Sequence, residues 1–182
     1  TDDTAHPWSH ATETPFDGID QDCDGEDVCH DLNCDAWPDL VIPGFYSETR
    51  GHQALNHVYF GGVNGYSPAS RETFTGKGFR GVKVNDVNSD GYLDLIFISH
   101  YNPNGTDGYN TNSEVYAGSA NGFSLLAELP TIGGMDVCVS DLNNDGYSEI
   151  LIVNHWDNNS EYVTESYLYW GSSNGYSVTE RD

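Results

Sequence analysis

Asp86-Val-Asn-Ser-Asp-Gly-Tyr-Leu-Asp94 is the stretch whose reading decides the fold, because the chain writes it three times. Asp31-Leu-Asn-Cys-Asp-Ala-Trp-Pro-Asp39 and Asp141-Leu-Asn-Asn-Asp-Gly-Tyr-Ser-Glu149 align with it position for position, and the starts at 31, 86 and 141 are spaced by 55 residues. A second element follows each copy in the same order: Gly61-Gly-Val-Asn-Gly-Tyr-Ser67, Gly118-Ser-Ala-Asn-Gly-Phe-Ser124 and Gly171-Ser-Ser-Asn-Gly-Tyr-Ser177. Two motifs repeating in phase define a repeat architecture.

Each unit reads as four short strands. Gly81-Val-Lys-Val84 alternates apolar positions ahead of the acidic loop. Directly after the loops come Leu40-Val-Ile42, Leu95-Ile-Phe-Ile98 and Ile150-Leu-Ile-Val153, apolar throughout, as suits strands covered on both faces. Aromatic strands follow (Val58-Tyr-Phe60, Val115-Tyr116, Tyr167-Leu-Tyr-Trp170), and the Asn-Gly pair then turns the chain into a fourth strand. The expectation is an all-β chain of three four-stranded antiparallel blades of a propeller type, at about 27–79, 80–131 and 132–182. An N-terminal arm covers 1–26.

The string Val84-Asn-Asp-Val-Asn-Ser-Asp-Gly-Tyr-Leu-Asp-Leu-Ile96 resembles the FG-GAP/VCBS repeat of integrin α-chain propellers and bacterial surface proteins, and the likeness spans roughly residues 27–182. The resemblance implies calcium in the loop between the first two strands of a blade. Blade one departs from the pattern, with Ala36 in place of the loop Gly and Pro38 before the last acid. Upstream, Phe16-Asp-Gly-Ile-Asp-Gln-Asp-Cys-Asp-Gly25 resembles a DGxDxDCDG metal-binding motif found between domains of bacterial exported proteins.

The residue types themselves suit calcium. A hard cation takes six to eight oxygens, and short Asp and Asn side chains at alternate positions of a curled loop can converge on it. Blade two offers Asp86, Asn88, Asp90 and the Tyr92 carbonyl, closed by Asp94. Blade three offers Asp141, Asn143, Asp145 and the Tyr147 carbonyl, closed by Glu149. Blade one offers Asp31, Asn33, Asp35, the Trp37 carbonyl and Asp39. In the N-terminal motif Asp20, Asp22 and Asp24 are candidates, with closure by Asp31, shared with blade one, or by Asp27. The competing reading is a set of Asx turns, in which Asp and Asn satisfy their own backbone. Crowded carboxylates repel one another at short range unless a cation sits among them.

Twenty-nine Asp and Glu against six Lys and Arg leave a net charge of −23, which repels nucleic acid and anionic membrane surfaces. Cys23, Cys29, Cys34 and Cys138 are expected in disulfides, with three pairings open, although Cys29 and Cys138 also suit buried free thiols. His100 and His155 each stand fourteen residues after a first loop acid and read as matched packing positions at strand ends, or else as a transition-metal site. No HExxH or phosphate loop occurs, so no enzyme activity is expected.

The loops 102–113 and 157–164 carry Asn, Tyr, Gly and Ser, together with the sequons at Asn104 and Asn158. They suit either attached sugar or sugar binding. The functional expectation is a secreted calcium-binding structural or adhesion module at the cell surface, with a carbohydrate-binding module of a larger protein as the alternative. The start at Thr1 reads as a processed or truncated product. Propellers close with about four to eight blades. Three blades leave two bare faces, to be covered by the rest of a longer chain or by identical subunits joined head to tail in a filament.

Overall fold

A computed structural model describes residues 14, 19, 21, 28, 29, 31–102, 108–156, 165–179, 181 and 182. Every described element is a strand. Sheet one runs β1 (Leu40–Ile42), β2 (Asn56–Tyr59) and β3 (Arg71–Phe74) in that order. Sheet two runs β4 (Phe79–Asn85), β5 (Asp94–Ser99), β6 (Asn110–Ala117) and β7 (Ser124–Ile132). Sheet three runs β8 (Gly134–Ser140), β9 (Glu149–Asn154) and β10 (Tyr167–Tyr169). All pairings are antiparallel between neighbours in the chain.

Among the described residues only sheet two has the four strands expected of each repeat. In sheet one the residues just before the acidic loop fall largely outside the described set. In sheet three the described return after the Asn-Gly turn meets β10 at the bridge between Tyr169 and Arg181. Two backbone bonds between Leu168 and Asp182 hold the chain there.

The sheets stack in chain order, and β5 shows why its sequence is apolar at every position. Leu95 and Phe97 point into a core shared with sheet one, with Leu32, Val58, Phe74 and Phe79. Ile96 and Ile98 point the other way, into a core shared with Val137, Ile150, Ile152 and Tyr169 of sheet three. The strand is wholly buried. By contrast β1 has Leu40 and Ile42 exposed, so the expectation of two covered faces fails in sheet one, where no described sheet lies outside it.

The Gly-x-x-Asn-Gly elements are turns in which the amides of Gly65, Gly122 and Gly175 donate three residues back. Only the glycines take positive φ, at 76°, 94° and 78°. The preceding Asn residues do not.

Cys29 and Cys34 form a disulfide, so Cys29 is no free thiol. Cys138 is free and exposed rather than buried or paired. Cys23, Asp20, Asp22, Asp24, Asp27, Asn104 and Asn158 lie outside the described residues.

Candidate cation loops

The three acidic loops fold alike and lie at the same end of their sheets. Each uses two left-handed residues. The fourth position is Cys34, Ser89 or Asn144, at φ 59°, 58° and 59°; the sixth is Ala36, Gly91 or Gly146, at 63°, 85° and 90°. Ala36, read from sequence as a departure, therefore keeps the loop shape by accepting a conformation that a Cβ disfavours. The disulfide at Cys34 anchors the same loop.

Inside each loop the acids wrap the backbone. Asp86 Oδ2 accepts the Gly91 amide at 2.8 Å, and Asp90 Oδ1 accepts the Tyr92 amide at 2.9 Å. Asp86 Oδ1 and Asn88 Oδ1 converge on one amide, that of Asp90, at 3.2 and 3.0 Å. Asp141, Asn143 and Asp145 repeat the arrangement, with 3.2 and 2.9 Å to the Asp145 amide. In loop one Asp31 accepts the amides of Asn33, Asp35 and Ala36, and Asp35 accepts that of Trp37. Asx turns are therefore present, as the competing reading supposes. They leave lone pairs over, since each carboxylate oxygen carries two.

The last acid of each loop is engaged elsewhere. Asp94 Oδ2 accepts the Val87 amide at 2.9 Å, and Oδ1 accepts the Gly118 amide at 2.8 Å. Asp39 does the same with Leu32 and Gly61, at 2.9 and 2.8 Å. Burial pushes Asp94 up to about 7, with Asp90 and Asp86 adding to the rise, and pushes Asp39 up to about 6. Glu149, one methylene longer, takes the Leu142 amide with Oε2 at 2.6 Å, while its buried Oε1 has no partner.

Sequence reasoning treated the Gly-rich element as an independent motif and missed this clasp. The signal was the near-constant separation of 22 and 24 residues between acid and glycine. It also missed why those glycines are glycines. A Cβ on Gly61, Gly118 or Gly171 would run into the carbonyl of Pro38, Leu93 or Ser148, just before the closing acid.

The loops touch in series. The Cys29 amide donates to the Gly91 carbonyl at 3.0 Å, the Ser148 amide donates to Val87 at 3.2 Å, and the Ser89 hydroxyl donates to Gly146. Among the described residues no three His, Cys, Asp or Glu side chains converge closely enough to hold a metal by themselves. Asn oxygens and loop carbonyls would have to complete any site. A hard oxygen-seeking cation accepts such a mixed donor set and a thiol- or imidazole-seeking one does not, so the residues present fit calcium in kind. A cavity of about 320 Å³, lined by Asn88, Asp90 and Tyr147, opens beside loop two.

At the opposite strand ends, His100 and His155 donate their amides to the Gly78 and Gly133 carbonyls, at 3.0 and 3.2 Å. The buried His100 ring bonds the Gly134 carbonyl and Arg80 and packs edge-on against Tyr109. His100 thus takes the packing role expected of it, whereas His155, read as its match, is exposed.

The fold and loops thus define a repeat-built all-β module. Residues 86–152 match the family model described as FG-GAP-like repeat, which takes in loops two and three with the strands between them. Comparison with curated proteins finds no match.

Proposed function

We propose that the chain is an extracellular structural or adhesion module, one of the propeller-type FG-GAP kind, whose repeats are locked by calcium. The observation that carries this is the loop built alike three times, which crowds side-chain oxygens of alternate residues, Asp86, Asn88 and Asp90 in loop two, around one short stretch of backbone. Asp86, Asn88, Asp90 and the Tyr92 carbonyl would hold the ion in loop two. Asp141, Asn143, Asp145 and the Tyr147 carbonyl would do so in loop three. Loop one qualifies because Ala36 preserves its shape. The bound ion supplies positive charge among crowded carboxylates. Through the chained loops it would fix each sheet to its neighbour.

The Cys29–Cys34 disulfide supports an oxidising, extracellular setting. The role is non-catalytic. Titration calorimetry with calcium tests it: tight sites numbering at least two, each lost in Asp90→Ala or Asp145→Ala, are expected, and no binding heat would overturn it.

A second reading, saccharide binding, is favoured by one feature. A cavity of about 470 Å³ between sheets two and three is lined by Asn102, Asn110, Thr111, Tyr167 and Arg181, with the Arg181 guanidinium 4.0 Å over the Tyr167 ring. Binding on a glycan array, abolished by Arg181→Ala, is its test.

A further inference from the structure

The second position of the acidic loop is Leu32, Val87 and Leu142 in turn. Leu32 is 6% exposed in the core under sheet two, and Val87 is 2% exposed in the core under sheet three. Leu142 is 59% exposed. The central strands show the same break. Ile96 and Ile98 of β5 are fully buried against sheet three, whereas Val153 of β9, 55 residues beyond Ile98, is 37% exposed. At the other end, Leu40 and Ile42 are 42% and 43% exposed, where their equivalents Leu95 and Phe97, and Ile150 and Ile152, are completely buried. One sheet-on-sheet contact is thus made twice inside the molecule, and its two halves stand open at the ends of the stack.

We propose that the outer face of sheet three packs on the outer face of sheet one of a second copy, repeating the internal contact head to tail. The occupant is a second copy because this chain itself carries the counterpart. Leu40 and Ile42 hold the positions that do the covering at both internal contacts. Like-to-like pairing of either face has no precedent within the fold. The sheet-three face is apolar along its middle row, where Leu151 pairs in register with Cys138 on one side and Leu168 on the other, with Asp136 beside Val153 at one margin. A contact between unlike faces leaves one of each free, so it propagates or closes as a ring. With −23 per copy the association needs salt, which shortens electrostatic range to about 8 Å at physiological strength.

This goes beyond the calcium reading and does not depend on it. Sedimentation velocity on the full chain at micromolar concentration in physiological salt, with calcium and with chelator, is the test. Wild type should form assemblies larger than the monomer. Ile42→Glu and Val153→Glu, both at exposed positions outside the loops, should each be folded monomers. Their equimolar mixture should give a species of twice the monomer mass and nothing larger, because each variant keeps one intact face. A monomeric wild type, self-association of either variant alone, or a mixture that stays monomeric would overturn the proposal. Assembly in chelator would support it even if calcium proved not to bind.

Discussion

The Gly118 amide donates to Asp94 Oδ1 at 2.8 Å, so a glycine of the turn motif is tied to the acid that ends the loop 24 residues earlier. The other oxygen of Asp94 holds the Val87 amide at the loop's start. One buried carboxylate therefore joins the loop, β5 and the end of β6. Asp94→Ala would leave two backbone amides without an acceptor, at about 1–3 kcal/mol each. Chemical denaturation should show a loss of at least about 2 kcal/mol, larger than for Asp90→Ala in chelator, since Asp90 is exposed.

The close approach at Gly118 gives a paired prediction. A Cβ there meets the Leu93 carbonyl, whereas one on Gly62 meets nothing. Gly118→Ala should cost about 1–3 kcal/mol through forced backbone shifts. Gly62→Ala should change stability by less than about 1 kcal/mol. Equal effects in thermal melts would refute the packing account of the motif.

Ala36 sits at φ 63° where loops two and three have Gly. A left-handed non-Gly residue costs roughly 1–2 kcal/mol, against about 0.4–1 kcal/mol of extra unfolded-state freedom for Gly. Ala36→Gly should therefore stabilise the chain by about 0.5–1 kcal/mol in a denaturant melt. A destabilised variant would mean that the loop relaxes the strain.

Burial, and then the Arg80 charge, hold His100 below the usual histidine value of 6.5. A depressed folded pKa favours the neutral ring in the fold. Its contribution is thus present above about pH 6.5 and is lost as pH falls through the lower folded value. The melting temperature of wild type should fall more steeply below pH 6.5 than that of His100→Phe. Parallel profiles would assign the acid sensitivity elsewhere.

Much of the loop and strand plan was legible because the period of 55 residues repeats both motifs, and the apolar runs at 95–98 and 150–153 mark strands unmistakably. What escaped were relations across the fold. Nothing local in Asp94 says that its carboxylate reaches Gly118. Ala36 looked like a lesion because the pattern shows residue types and not the backbone angle they adopt. The exposed face of β1 was misjudged because Leu40-Val-Ile42 reads like Leu95-Ile-Phe-Ile98, although one lies at the end of the stack and the other in its middle.

Calcium locking of the repeats is the central claim, and a thermal melt in calcium against one in chelator tests it most directly. Binding to the folded state alone stabilises by about 2.7 kcal/mol per site at a hundredfold excess over Kd. The account predicts a clear rise in Tm with calcium, reduced in Asp90→Ala and again in Asp145→Ala. An identical Tm in calcium and after exhaustive chelation would contradict it.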